Sequence, residues 1–311
     1  MSKANVEQSP FLSVVICTRN RERHITAALD SWVRQQYDPG RFEVIVVDNG
    51  STDRTPRLVE DFIAAHPDYQ IRLIREPAPG LAAARNTGIR AARGRYIAFV
   101  DDDARAHPEY IRRFEAHTLR LPHVAAFGGR VRPDYEEGQP PAWMSPFMER
   151  FLAIVDKGDR PKPFGRKYPV GCNMLFRRDV FDRVGMFDPR IRLRSEDKYI
   201  FQRIKEAGLP VWYLPDVEVK HFIEAFRAQC DYVRKVSYLN GQSERLLIRY
   251  SARPRRRHLM AIGEMAGKWG ISLMLWGWYA LMGRSIKGRA LWRSTHEFIK
   301  GFRHGPGDTY T

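Results

Sequence analysis

Cysteine is scarce in this chain of 311 residues. Cys17, Cys172 and Cys230 are far apart and odd in number, so they suggest neither a disulfide framework nor a pair with metal-ligand spacing. The opening residues, MSKANVEQSP, lack the apolar core of a signal peptide. These absences argue against a secreted, disulfide-stabilised domain and predict a cytoplasmic protein in a reducing environment.

Long apolar runs and glycine-rich phosphate loops are missing too. The longest uncharged apolar stretch is Trp269–Gly283, whereas a membrane-spanning helix needs about 20 apolar residues. The stretch predicts either a buried helix or one that lies at a membrane interface. No G-x-G-x-x-G follows the first predicted strand and no G-x-x-x-x-G-K-[ST] occurs, so neither a dinucleotide cofactor nor a P-loop is supported.

Negative charge is the minority sign, with 36 acidic against 52 basic side chains and a formal net charge of +16. This excess suits an anionic partner, such as nucleic acid, a phosphorylated small molecule or an anionic membrane surface. It equally suits a solvated basic face. No recognisable nucleic-acid-reading motif accompanies the charge, so we expect no nucleic-acid partner.

Apolar strands and amphipathic helices alternate through the first hundred residues. Strands are predicted at Phe11–Cys17, Phe42–Asp48, Ile71–Glu76 and Arg95–Asp101, and helices at Arg23–Gln36, Asp53–Ala65 and Gly80–Arg93. This alternation predicts an α/β fold with a mostly parallel sheet and helices on both faces. The polar clusters after the first, second and fourth strands should then converge on one crevice.

The stretch YIAFVDDD joins an apolar strand to three acids, Asp101, Asp102 and Asp103. Carboxylates of this kind suit Mg²⁺, which keeps several waters and also binds substrate phosphates. A short acidic run is common, and on its own it more often forms a solvated turn. Its position at the end of the fourth predicted strand favours a metal-assisted diphosphate site.

Five motifs follow one another in the order VVICTRNR, EVIVVDNGSTDRT, GLAAARNTGIRAARGRYIAFVDDD, GCNMLFRRDVF and SEDKYIFQRI. In this order they resemble the successive motifs of family 2 glycosyltransferases over about Ser9 to Phe222. The resemblance implies the GT-A fold, inverting transfer from a nucleotide-sugar donor, most often UDP-linked, and dependence on Mg²⁺ or Mn²⁺.

Site residues are carried over from the resemblance at matching positions. It implies that the nucleotide sugar is bound by Thr18, Arg19, Asn20, Asp48, Arg85, Asp101 and Asp102. It implies a metal held by Asp103, Asp101 and His221. The acceptor side is implied to include Gly171, Cys172 and Asn173. An exposed helix arginine remains the alternative for Arg85, and a structural histidine the alternative for His221.

The catalytic residues implied by the resemblance are Asp197, as the base that deprotonates the acceptor hydroxyl, and Glu196, which orients the base or the acceptor. Acids in a first helical turn also complement the helix dipole, so their position alone leaves both roles open. Rival hypotheses are a basic nucleic-acid-binding protein and a catalytically inactive protein of the same fold.

The predicted organisation has a catalytic domain at residues 10–224, with a nucleotide-binding half at 10–103 and an acceptor-side half at 104–224. Residues 225–303 should form a basic helical region, either packed on the core or placed on an anionic membrane surface. Residues 1–9 and 304–311 are predicted to be disordered. The expected acceptor is a glycan or a lipid-linked hydroxyl, and the expected place is the cytoplasm or the inner face of the cell membrane.

Overall fold

The computed structural model describes residues 9–165, 167–191, 194–251 and 254–305. The ends predicted to be disordered, 1–9 and 304–311, lie outside these ranges except for Ser9, His304 and Gly305. The chain divides into two compact units. The first comprises residues 1–132, 155–189 and 197–221, and the second comprises 133–154, 190–196 and 222–311.

The first unit begins with the strand–helix alternation that the sequence predicts. Its elements are β1 Leu12–Thr18, α1 Ile25–Val33, β2 Phe42–Asp48, α2 Thr55–Ala65, β3 Ile71–Arg75, α3 Leu81–Ala91 and β4 Tyr96–Val100. These four strands are parallel, in the spatial order β3-β2-β1-β4. The side chains of β1, β2 and β4 are almost all buried, as expected for strands covered on both faces, whereas those of the edge strand β3 are mostly half-buried.

The strands after Asp103 join the same sheet in antiparallel fashion. The elements are β5 Ala104–Ala106, α4 Tyr110–Arg120, β6 Ala126–Tyr135, β7 Lys162–Pro163, β8 Asn173–Arg177, α5 Val180–Val184, α6 Glu196–Glu206 and β9 Val211–Ile223. The sheet order is β3-β2-β1-β4-β8-β6-β9-β5, with β7 beside β9. The sheet is therefore mixed. Its parallel part is formed by β1–β4, from the segment in which strands and helices alternate.

An aromatic cluster fills the first unit between β4, β8 and the helices after them. The Phe176 ring stacks on Phe201 at 5.2 Å, and Phe99 meets Phe187 edge-to-face at 5.4 Å between ring centroids. All four rings are almost fully buried. Each such ring contributes roughly 2 kcal/mol by leaving water, so the cluster fixes β8 firmly against β4.

Three long helices form most of the second unit: α7 Cys230–Arg249, α8 Pro254–Leu281 and α9 Ser285–His304. Helices α7 and α9 cross at glycines, since a Cβ on Gly301 would lie 2.0 Å from Tyr238 O. A smaller apolar cluster includes Met148, Leu152 and Val233, and Trp143 packs against it. Within the described ranges, no helix has both the length and the hydropathy needed to cross a membrane.

Candidate active site

The ends of β1 and β2 are tied together by polar side chains. Thr18 and Asp48 are paired across the two strands and buried. Asn20 has φ 55°, and its side-chain oxygen accepts a hydrogen bond from Thr52 N at 2.8 Å. Asp48 Oδ1 accepts one from Ser51 N at 3.1 Å. Both predicted nucleotide-binding loops therefore have a defined shape, with Arg19 exposed at the rim.

Strand register explains how the acids meet residues distant in sequence. Val100 pairs with Asn173 across the antiparallel β4–β8 ladder, so Asp101 and Cys172 follow at the same end. Ala104 pairs with His221 across β5–β9, which brings His221 beside Asp103. Pairing between strands thus assembles a site from three separate segments of the chain.

The resulting cluster contains oxygen, nitrogen and sulfur donors. One ligand atom each of Asp101, Cys172 and His221 lies within 4.8 Å of the other two. His221 Nε2 is also 3.2 Å from Asp103 Oδ1. Cys172, His221 and Asp103 are buried. The sequence assigns Cys172 to the acceptor side, whereas the structure places its thiol among the predicted metal ligands.

Arg21 is the site residue that the sequence reasoning missed. Its Nε is 3.4 Å from Asp102 Oδ1, and its Nη2 is 3.7 Å from Asp103 Oδ2. Arg21 comes three residues after the end of β1, at the carboxyl edge of the sheet where polar side chains gather. That position was the available signal, but arginines in loops are too common for it to stand out.

The acidic cluster has an unfavourable balance of charge. Burial, reinforced by the charge of Asp103, raises the pKa of Asp102 to about 7, although Arg21 opposes the shift. Carboxyl groups that are buried close together disfavour each other's ionisation, and a nearby cation offsets the repulsion between their charges. Carboxylate and imidazole donors suit Mg²⁺, Mn²⁺ and Zn²⁺ to differing degrees, and a thiolate favours the softer ions. The residues present therefore fit a divalent cation.

Arg85 lies in a buried setting on α3, so the alternative of an exposed helix arginine is wrong. Only 2% of its surface is accessible, and its guanidinium lies 5.8 Å from the Phe99 ring centroid and 5.3 Å from that of Phe187. A Cβ on Gly171 would approach Arg85 Nη2 to 2.5 Å. Arg85 therefore underlies the loop that carries Gly171 and Cys172.

Asp197, in the first turn of α6, is connected to that same loop. Its Oδ2 accepts a hydrogen bond from Gly171 N at 3.1 Å, and its Oδ1 accepts one from Lys198 N at 2.6 Å. Ser195, two residues earlier, has φ 71°, a conformation that costs energy for a residue with a side chain. Asp197 and Glu196 are each half-buried. The helix start thus presents two acids with part of their surface open to a ligand.

Asn173 lies inside the sheet, away from the surface that the acceptor prediction requires. Its Oδ1 accepts a hydrogen bond from Tyr110 OH at 2.7 Å, and its Nδ2 donates to Val217 O and Arg130 O. All its amide groups are used within the protein, and it is 1% exposed. We therefore assign the Asn173 side chain to supporting the acceptor-side loop rather than to contacting the acceptor.

Comparison of the sequence with known families shows a match over more than half of the chain. The profile of Glycosyl transferase family 2 matches residues 13–185. Glycosyltransferase AglE of Haloferax volcanii is 31% identical over 208 residues, which are 67% of this chain and 66% of AglE. The glucosyl-dolichyl phosphate glucuronosyltransferase of the same organism is 28% identical over 251 residues, covering 76% of this chain and 77% of that protein.

Solved structures with similar folds include chains from two other organisms. The mannosyltransferase PcManGT of Pyrobaculum calidifontis, in complex with GDP-Man and Mn²⁺, superimposes with a TM-score of 0.62 at 19% identity. The match covers 94% of this chain and 88% of PcManGT. S. aureus TarS 1-349 gives a TM-score of 0.54 at 19% identity, covering 94% and 89%. At these identities the likeness concerns the fold, which is the GT-A fold.

Proposed function

The chain belongs to glycosyl transferase family 2, a family of glycosyltransferase enzymes, and from this premise we propose that it catalyses inverting, metal-dependent sugar transfer. The donor in this proposal is a nucleotide-diphosphate-sugar, most simply UDP-linked. The acceptor is a hydroxyl group of a glycan or of a lipid-linked saccharide. The product would enter cell-surface polysaccharide assembly.

One observation carries the proposal. Asp197 is hydrogen-bonded to Gly171, and the next residue, Cys172, lies within 4.8 Å of Asp101 and His221. The predicted base is therefore joined through one short loop to the predicted donor side. Transfer with inversion needs the base and the leaving diphosphate on opposite sides of the anomeric carbon, and in this proposal the sugar lies between Asp197 and the donor-side residues.

In the proposed reaction, Asp197 takes the proton from the acceptor hydroxyl as its oxygen bonds to the anomeric carbon. The bond from that carbon to the diphosphate oxygen breaks, and the electron pair leaves with the nucleoside diphosphate. Asp101, Asp103 and His221, with Cys172 beside them, would hold the divalent cation. Such a cation would supply Lewis-acid stabilisation to the leaving group.

The other predicted residues have supporting parts in this proposal. Thr18, Arg19, Asn20 and Asp48 form the loops that would receive the nucleoside. Arg21 would offer positive charge near the donor once a cation takes over neutralising Asp102 and Asp103. Arg85 would fix the position of the acceptor-side loop relative to Asp197. Its positive charge would also add to the electrostatic field at the diphosphate.

The acceptor class rests on the relatives' names. A relative named glucosyl-dolichyl phosphate glucuronosyltransferase is 28% identical to this chain. We propose an acceptor of the same general kind, a saccharide carried on a lipid phosphate. Such an acceptor is presented at a membrane, and we place the enzyme at the cytoplasmic face.

The test is a thermal-shift screen of nucleotide sugars with Mn²⁺ or Mg²⁺, because specific ligands raise the stability of the native state. We expect one donor class to raise the unfolding temperature only when the metal is present. That donor is then used in a transfer assay against saccharide acceptors. Stabilisation by nucleic acid and by no nucleotide sugar would contradict the proposal.

A further inference from the structure

Helix α8 exposes an unusual amount of apolar surface. Leu259, Met274 and Leu281 are 71%, 66% and 86% exposed, and Ile271, Leu273 and Trp278 are each more than two-fifths exposed. We call these six side chains the apolar face of α8. Proteins that stay monomeric in water rarely expose a contiguous patch of this kind, so the apolar face indicates a binding surface.

Most of α8 is exposed to solvent, and only a narrow strip of the helix is covered by its own unit. Ala261 and Ser272 are its buried residues, and Trp276 packs against Trp292 of α9 with ring centroids 5.5 Å apart. Lys268 lies over the Phe298 ring of α9 at 5.1 Å. With about 100° between successive residues, Leu259, Met274 and Leu281 lie opposite Ala261 and Ser272. Helix α9 therefore covers one side of α8 only.

Positive charge borders the apolar face at both ends. Arg255 and Arg256 are exposed in the first turn of α8, and Arg284 and Arg289 are exposed just beyond its end. Glu264 is the single acidic residue in Pro254–Leu281. Basic residues close to an apolar helix surface attract anionic lipid, and tryptophan is favoured at the boundary between headgroups and acyl chains.

We propose that the apolar face of α8 docks in the plane of an anionic membrane surface. The uncharged run Trp269–Gly283 is about 22 Å long, less than the roughly 30 Å hydrocarbon core of a bilayer. With α9 against one side, α8 can bury its opposite side in the headgroup region while its basic ends meet lipid phosphates. This inference concerns docking and stands independently of the transfer chemistry.

A second copy of the chain is a less favourable occupant. Gly263, Gly267 and Gly270 also lie on the outer side of α8, where an added Cβ would meet nothing within 4 Å, so a close helix pair is sterically open. However, each copy has a formal net charge of +16, and both would bring arginines to the contact. Like charges at an interface oppose association, whereas anionic lipid is complementary to them.

The experiment is flotation of the full chain with vesicles of phosphatidylcholine alone and of phosphatidylcholine mixed with phosphatidylglycerol. We expect the protein to bind the mixed vesicles and to bind the neutral ones weakly. The double variant Met274→Glu/Leu281→Glu should lower the partition coefficient at least about tenfold, because two charged side chains replace inserted apolar ones. Raised salt should weaken binding of the unmodified protein.

The matched control is Leu119→Glu on α4, since Leu119 is 76% exposed on the other unit and should leave vesicle binding unchanged. Both variants should keep the unfolding temperature of the unmodified protein, because the replaced side chains are exposed.

Vesicle binding that is equal in the double variant and the control would overturn the proposal. So would light scattering that shows a dimer broken by the double variant while vesicle binding persists. Donor-induced stabilisation, measured on the double variant, separates failure of docking from failure of the proposed function.

Discussion

At the scale of single residues, the acidic end of β4 is balanced by groups from two other segments. Arg21 follows β1 and His221 lies near the end of β9, and each lies close to Asp103. A cation bound at Asp101 and Asp103 would compete with Arg21 for the carboxylate of Asp103. Under the proposed function, Arg21 would then be available to the donor, and cation binding would favour donor binding.

Asp197→Asn tests the assignment of the base. The amide keeps the size of the carboxylate but cannot take a proton, so we expect the transfer rate constant to fall about a thousandfold. Affinity for the donor should change little, because the donor contacts lie in other loops. Single-turnover transfer and calorimetric donor binding measure the two effects. Asp179→Asn, at an exposed position paired with Arg177, is the control and should leave both unchanged. Near-normal transfer in Asp197→Asn would refute the assignment.

Cys172→Ser tests whether the thiol tunes metal preference. Sulfur favours softer ions such as Zn²⁺ and Cd²⁺, whereas a hydroxyl oxygen favours Mg²⁺. We expect affinity for Zn²⁺ to fall at least about tenfold and affinity for Mg²⁺ to stay within a factor of about two. Competition with a chelating dye measures both constants without any assay of transfer.

The control for this experiment is Cys230→Ser, which changes a half-buried thiol in the second unit. It should leave affinity for both ions unaltered. Equal losses for Zn²⁺ and Mg²⁺ in Cys172→Ser would indicate disturbed packing around the buried residue rather than a lost ligand.

At the scale of elements, the sequence predicts the parallel half of the sheet closely because each strand there is a buried apolar run separated from the next by a helix. The predicted Phe42–Asp48 strand agrees with β2 at both ends. Strands β5 and β7 are too short to leave a periodic pattern. Pairing of β8 with β4 joins segments far apart in sequence, so their register depends on packing that no local pattern specifies.

The candidate site also has a part that the sequence predicts and a part that it does not. Motifs and strand ends are enough to identify Asp101, Asp103 and Asp197. The contact of Arg21 with the acids, the burial of Arg85 and the inward amide of Asn173 depend on side-chain direction in three dimensions. Periodicity gives the face of an element, but not the partner that each side chain meets.

Gly301→Ala tests the glycine crossing between α7 and α9. The added Cβ would lie 2.0 Å from Tyr238 O, which forces the helices apart and should cost about 2 kcal/mol or more. Hydrogen exchange of the α7 and α9 amides should speed up accordingly.

Gly263→Ala is the control, since nothing lies within 4 Å of its added Cβ. That change should stabilise α8 by up to about 1 kcal/mol through helix propensity. Equal exchange in both variants would rule out close packing at Gly301.

At the scale of the whole molecule, one buried carboxylate connects several parts of the first unit. Glu43 on β2 accepts hydrogen bonds from Ser13 Oγ at 2.6 Å, Arg93 N at 2.7 Å and Arg72 Nη2 at 2.8 Å. Its side chain is 0% exposed. These partners belong to β1, the α3–β4 connection and β3, so we expect protonation of Glu43 to weaken the contacts that join these three segments.

The pH dependence of global stability follows from this network. Burial opposes ionisation of Glu43, yet the hydrogen bonds from Ser13 and Arg93 and the charge of Arg72 outweigh it and lower the pKa below the ordinary 4.5. A carboxyl whose pKa is lower in the folded state stabilises the fold above its unfolded pKa. That contribution is lost as the pH falls through the folded value. We therefore expect the free energy of unfolding to decrease as the pH drops below about 4.5.

Glu43→Gln should remove the part of this acid sensitivity that Glu43 supplies. The amide has no charge to offer Arg72 and Arg93, so we expect a loss of about 2 kcal/mol at neutral pH. Toward acid pH the variant and the unmodified protein should converge, because the unmodified protein then loses the same charge. Urea unfolding at several pH values measures both curves.

The control is Glu60→Gln. The Glu60 carboxylate is 56% exposed beside Arg75, so this change should shift the free energy of unfolding by less than about 0.5 kcal/mol at every pH. Curves for Glu43→Gln that stay parallel to those of the unmodified protein would show that the acid sensitivity arises at other carboxyl groups.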